Sequence, residues 1–363
     1  MSTPPCGGKS RADRRLDRPG RTWHDGGMTR PGSTARRLLA GMIVRLAGGG
    51  GLAPEEVRRL RSEIPLAGFR GALRALLLRR WLGPGPAGAG PPVLVPALGG
   101  RFELFVPAAD HGVGARIAED GVWEPHVAAA LQSLIEPGDS VVDVGANLGF
   151  HALLAAILAG PEGRVTAVEP DPANARMLRM SVRRLRGAAP VEVVEAALWD
   201  RSGELTFSDL GNPGNSGARF VGDRERLEVL VHGEAPRFGT VRAVRWDEAF
   251  FDVPMQLLKL DVEGAEPVVV RGMARSIERW RPVILTELAP GNLRQIGHST
   301  AGAYLAWFTE RGYVAYRIAQ PVPVRLKDGA DPRAGGHHAD LMLLPADRET
   351  EVMSRFVPER RGS

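Results

Sequence analysis

The chain has 363 residues, an ordinary apolar fraction of 44% and a charged fraction of 25%, which excludes a fibrous or wholly disordered polypeptide. Its surplus of +5 lies in the first 37 residues, where nine Lys/Arg and three Asp make +6; residues 38–363 therefore sum to about −1. A nearly neutral body with a basic tail predicts no nucleic-acid partner. A single cysteine, Cys6, excludes an intramolecular disulfide and a cysteine metal cluster.

Taken in chain order, residues 1–37 are rich in Arg, Gly and Pro and predict a disordered basic tail; Met28 is an alternative start. They hold no secretory apolar core, and no later run approaches the roughly 18 residues of a spanning helix, so a soluble, cytoplasmic protein is expected. Residues 38–95 read as a helical extension (Leu38, Leu39, Ile43, Leu46, then Leu73, Leu76, Leu77) closed by the Pro/Gly linker Pro84–Pro92. Arg101–Val106 alternates like a half-exposed strand.

From Trp123 onward, buried strands alternate with helices. Strands are predicted at Val141–Val144, Val165–Val168, Val191–Glu195, Leu257–Leu260 and Val283–Leu285. Helices are predicted at Gly149–Ala159, Ala173–Leu185, Ala265–Trp280 and Thr300–Glu310. This order predicts an α/β domain over 96–345: a mainly parallel, Rossmann-like sheet flanked by helices. An insertion at about 203–250 carries a hairpin strand (Glu204–Phe207), a Gly/Asn loop (Gly211–Gly217) and a strand (Val241–Arg245). Residues 346–363 form a C-terminal tail.

The segment VVDVGANLGF (141–150) runs a buried strand through a glycine turn into an apolar helix. Gly145 permits the turn and Gly149 close helix–sheet contact, while the helix start suits an anion. Glu169, ending the second strand, is placed to accept hydrogen bonds from a ribose. A dinucleotide needs a glycine where Asn147 stands, and Asp143 would be a poor neighbour for a pyrophosphate. S-adenosylmethionine has no phosphate, and Asp143 is placed to attract its ammonium. An NAD(P)-dependent oxidoreductase is the alternative enzyme, weakened because none of Tyr304, Tyr313 and Tyr316 begins a Tyr-x-x-x-Lys. A noncatalytic Rossmann-type binding module is the alternative of another class. Gly214–Gly217 begins like a nucleophile elbow but lacks its strand, helix and final glycine.

VVDVGANLGF, GPEGRVTAVEPDPAN, VEVVEAALWDRSGELTF, LLKLDVEGAEPVVVRGM and RPVILTEL, in this order over Trp123–Pro345, resemble the FkbM-type methyltransferase family. The resemblance implies an S-adenosylmethionine-dependent O-methyltransferase of the class I type, acting on a hydroxyl of a small-molecule or glycan acceptor. It implies donor contacts at Asp143, Gly145, Asn147 and Glu169, and an adenine bordered by Ala196, Ala197 and Leu198.

The fourth strand ends in Asp261-Val262-Glu263-Gly264, where ligands of an open α/β sheet bind. Asp261 is the first candidate for base or acceptor-orienting residue, Glu263 the second, and Glu287 on the next strand the third. Asp261 could instead cap the helix from Ala265. Lys259 is expected to pair with a carboxylate. His298 is a weaker candidate base, and His337, His338 and Asp340 a poor metal set; no required metal is expected, although Asp261 and Glu263 suit Mg²⁺.

Overall fold

The computed structural model describes residues 92–108, 110–209, 215–230, 236–318, 322–327 and 338–356, all within the unit Arg70–Ser363. The expected basic tail, helical extension and most of the linker, as well as His337, lie outside the described residues.

A short hairpin, β1 (Val93–Ala97) and β2 (Phe102–Val106), precedes two helices, Val113–Asp120 and Pro125–Leu134. There follow β3 (Ser140–Val144), helix Phe150–Ala159, β4 (Arg164–Val168), helix Pro172–Val182 and β5 (Val191–Val194). Next come β6 (Ala197–Leu198) and then, within the 203–250 insertion, β7 (Gly203–Ser208), β8 (Phe220–Gly222) and β9 (Phe238–Val244). The second half holds β10 (Leu257–Leu260), helices Glu266–Gly272 and Ala274–Trp280, β11 (Val283–Leu288), helices Pro290–Gln295 and Ala301–Thr309, β12 (Tyr313–Arg317), β13 (Val324–Arg325) and β14 (Ala339–Pro345). Helix Glu349–Ser354 follows in the segment read as a tail.

Eight strands form one sheet in the order β13-β12-β14-β11-β10-β3-β4-β5. The five strands predicted from apolar runs are its parallel part, and β14 pairs antiparallel with both β11 and β12. The Rossmann-like α/β expectation holds. Every residue of β3 and β10 is buried, as central parallel strands covered on both faces require. Helix Phe150–Ala159 is apolar almost all round because it is sandwiched between the sheet and helix Pro125–Leu134. Asp171 caps helix Pro172–Val182 by accepting the Ala173 N–H at 2.8 Å, with proline at the first helical position.

The strands of the insertion form a second sheet together with β6, which precedes it, in the order β6-β9-β7-β8 and with an apolar cluster around Trp199, Leu205, Leu227 and Val241. The helix expected over Ala265–Trp280 is two, broken at Met273, whose φ of −113° and ψ of 6° leave the helical range. Among the described residues no helix is long and apolar enough to cross a membrane.

Candidate active site

A cavity of about 420 Å³ opens beyond the carboxyl ends of the parallel strands, within the size range of a small-molecule site. Gly145, Asn147, Glu169, Ala196, Ala197, Leu198, Asp261, Glu263 and Glu287 all line it. Residues spread over 143 positions of sequence thus meet at one rim of the sheet.

The turn after β3 is the tightest part. Gly145 has φ +80°, and a Cβ built there would lie 1.8 Å from the Asp261 carbonyl oxygen, so only glycine lets the turns after β3 and β10 touch. Asn147 also sits in the left-handed region, at φ +52°, which asparagine tolerates. Its N–H donates to Glu169 Oε2 at 2.7 Å, and Glu169 Oε1 accepts the Asp171 N–H at 2.9 Å. Glu169 thus ties the glycine turn to the end of β4, and burial pushes its carboxyl up to about 7. The N–H groups of Asn147, Leu148 and Gly149 all have acceptors within this framework. The N–H groups nearest the turn are therefore already engaged where the sequence suggested an anion site.

Two residues of the segment read as the donor turn, Gly149 and Asp143, stand behind the wall. Gly149 packs on Leu178, where a Cβ would approach Cδ1 to 2.2 Å. Asp143 is 1% exposed, and neither carboxylate oxygen has a hydrogen-bond partner among the described residues. Its nearest cation is Lys259, which does line the cavity: Nζ lies 3.5 Å from Asp143 Oδ1 and 3.0 Å from Asp261 Oδ2. Burial works to lower this ammonium, but Asp261, Asp143 and Glu124 together hold it above its ordinary range. The ion-paired strand lysine expected from sequence is present.

At the other end of the cavity carboxylates crowd. Burial, reinforced by the Asp261 charge, pushes Glu263 up to about 8 and Glu287 up to about 10. Glu263 has φ +55°, a strained conformation for a residue of its kind that aims its side chain away from extended geometry. The cap alternative for Asp261 is answered by another residue: Glu266 Oε1 accepts the N–H of Val262 at 3.0 Å and of Gly264 at 3.3 Å. His298 does not join the cavity; it is exposed and bonded through Nδ1 to Arg226.

Three titratable wall residues, Glu124, His126 and His151, carry no motif in the sequence, and a fourth, Asp340, bears another role than the one read there. Glu124, at φ +42° before helix Pro125–Leu134, is pushed up to about 8 by burial and by Asp261. His126 Nε2 lies 2.5 Å from Asp340 Oδ2, and both line the cavity. His151 is buried with Nε2 unpartnered among the described residues, and burial holds it well below the usual imidazole range. The only sequence signal at Glu124 and His126 is the Glu-Pro step that opens a helix, and Asp340 stands out in the sequence only beside His337 and His338. The described end of the Gly/Asn loop is a wall rather than a free flap. Ser216 Oγ donates to Asp110 Oδ2 at 2.6 Å, and its carbonyl accepts from Asn174 Nδ2 at 3.2 Å. Among the described residues no group of three or more His, Cys, Asp or Glu side chains is arranged to hold a metal ion.

Residues 143–315 match the profile of the methyltransferase FkbM domain. A protein-L-isoaspartate O-methyltransferase of Methanopyrus kandleri is 39% identical over 191 residues, covering 52% of this chain and 68% of its own length. Ribosomal RNA small subunit methyltransferase G of Mycolicibacterium smegmatis is 39% identical over 84 residues, 23% of this chain and 34% of its own length. The chain therefore spans about a third of that relative. Among solved structures, methyltransferase FkbM from Methylobacillus flagellatus superposes with a TM-score of 0.35 at 14% identity, over 63% of this chain and 60% of its own. With the motif order, the cavity at the strand ends and the profile match agreeing, the chain is a methyltransferase that carries an FkbM domain over residues 143–315 and uses S-adenosylmethionine as its methyl donor.

Proposed function

We propose that the protein transfers the methyl group of S-adenosylmethionine to a hydroxyl oxygen of a sugar or natural-product acceptor, and not to nucleic acid. The observation that carries this reading is the convergence of Glu124, Asp261, Glu263, Glu287 and Asp340 on one cavity. Carboxyl groups bind hydroxyls well, accepting when ionised and donating when protonated. Burial keeps Glu124, Glu263 and Glu287 protonated around neutral pH, so they offer a donor as well as an acceptor to a neutral hydroxyl.

The donor end fits the methyl donor at Glu169, a buried carboxyl on the cavity wall with lone pairs left for a ribose. Glu169 would hold the ribose, Ala196, Ala197 and Leu198 the adenine, and the Gly145–Asn147 turn the amino-acid end. Asp143 would act through Lys259, by fixing its ammonium. When bound, the donor supplies an electrophilic methyl carbon that must be approached in line with its sulfur. Asp261, held by Lys259, with Glu263 and Glu287 would orient the acceptor oxygen on that line; such orientation contributes about 7–11 kcal/mol in favourable cases.

The test is methylation by the full chain of methyl glycosides, macrolactone alcohols, an amino sugar, an isoaspartyl peptide and a ribosomal RNA fragment, read by mass spectrometry. Methyl ethers on hydroxyl compounds are expected. Transfer confined to nitrogen, peptide or RNA would overturn the reading.

A further inference from the structure

His126 and Asp340 lie 214 residues apart, one in the first turn of helix Pro125–Leu134 and the other on β14. β14 pairs antiparallel with β11 so that Asp340 stands opposite Glu287, which brings the pair to the carboxylate end of the cavity. An ionised carboxylate only accepts hydrogen bonds, so the 2.5 Å contact puts the imidazole proton on Nε2 and leaves Nδ1 as the basic nitrogen. Among the described residues nothing is hydrogen-bonded to Nδ1. Asp261, by contrast, has Oδ2 engaged by the Lys259 ammonium at 3.0 Å.

We propose that His126 is the catalytic base that removes the acceptor hydroxyl's proton, and that Asp340 is its positioning residue. The inference rests on the hydroxyl-acceptor reading above. As the new C–O bond forms, the acceptor's O–H bond breaks and its proton passes to Nδ1. The methyl carbon's bond to sulfur breaks with both electrons leaving on the sulfur, which becomes a neutral thioether. The resulting imidazolium is stabilised by the adjacent Asp340 carboxylate, the arrangement that orients and charge-balances a catalytic histidine elsewhere. The groups facing His126 are Asp340 from β14, Glu124 ahead of its own helix, and His151 from helix Phe150–Ala159. The Asp340 hydrogen bond outweighs burial, and His126 sits above the usual imidazole range.

A purely structural role, tying the helix to β14, makes a different prediction from a base. The experiment measures kcat/KM against pH for the full-length protein and for His126→Gln and Asp340→Asn, using whichever methyl glycoside or macrolactone alcohol the wild type methylates best. The wild-type rate should rise with pH along a limb lying above pH ~6.5, the ordinary imidazole value. Asp340→Asn should move that limb to lower pH. His126→Gln should abolish it and lower kcat by about 10²–10⁴-fold, with donor Kd unchanged. A limb that stays in place in Asp340→Asn, or His126→Gln turning over at the wild-type rate, would overturn the assignment. If His126→Gln fails to fold, the limb in Asp340→Asn decides alone. A wild type that methylates no hydroxyl compound overturns the functional reading and this inference with it, an outcome distinct from an active wild type with an unaffected variant.

Discussion

Lys259→Met isolates the buried charge at the centre of the site. Lys259 is 5% exposed and Asp143 1% exposed, and among the described residues Lys259 is the only cation within ion-pair distance of Asp143. Methionine keeps the length and apolar stem of the side chain, so the change removes charge with little change of volume. Asp261 is about a quarter exposed and can be hydrated in the variant, whereas Asp143 cannot. Stranding one partner of a buried pair costs about 3–5 kcal/mol. Urea unfolding followed by circular dichroism should therefore show a stability deficit of about that size at pH 8. The sign of its pH dependence follows from Asp143. Burial raises its folded carboxyl above the value in the unfolded chain, and loss of the ammonium raises it further. The cost is present above the unfolded value and is relieved as pH falls and the folded protein takes up a proton, so the deficit should shrink at pH 5.5. Adding Asp143→Asn should recover much of the loss, because neutralising both members is far less costly than stranding one. A deficit below ~1 kcal/mol, which is well under the cost of stranding a buried charge, or one that grows on acidification, would refute the reasoning.

Gly145→Ala forces a Cβ to within 1.8 Å of the Asp261 carbonyl and imposes φ +80° on a substituted residue; the conformational part alone costs about 1–2 kcal/mol. It should lower both the melting temperature and donor affinity, and calorimetry finding wild-type affinity would contradict the close-turn argument. Glu124 and Glu263, pushed to about 8 against 4.5 in an unfolded chain, bind protons in the folded state that the unfolded state has released. Unfolding free energy should therefore be higher at pH 7 than at pH 9, and the reverse order in buffered urea titrations would count against the buried carboxylates.

The parallel half of the sheet was legible because its signals are local. Apolar runs of four or five residues mark doubly covered strands, and positive φ at Gly145 is a property of one residue and its neighbours. Glu169 lies at a fixed chain distance from that turn, so its place beside Asn147 followed from the same unit. The antiparallel end, β12–β14, has no such signature: β14 joins the sheet by register with β11, and β12 and β13 follow on β14, pairings that no short window encodes. That register alone sets Asp340 opposite Glu287 and within hydrogen-bond distance of His126, so a site spread over more than 200 residues closes only when the sheet does. Tertiary packing also decided between roles that the sequence left open. Glu266 takes the N–H groups that Asp261 was placed to cap, and Lys259 stands between Asp143 and the cavity, because side-chain reach in three dimensions, rather than spacing along the chain, selects the partner.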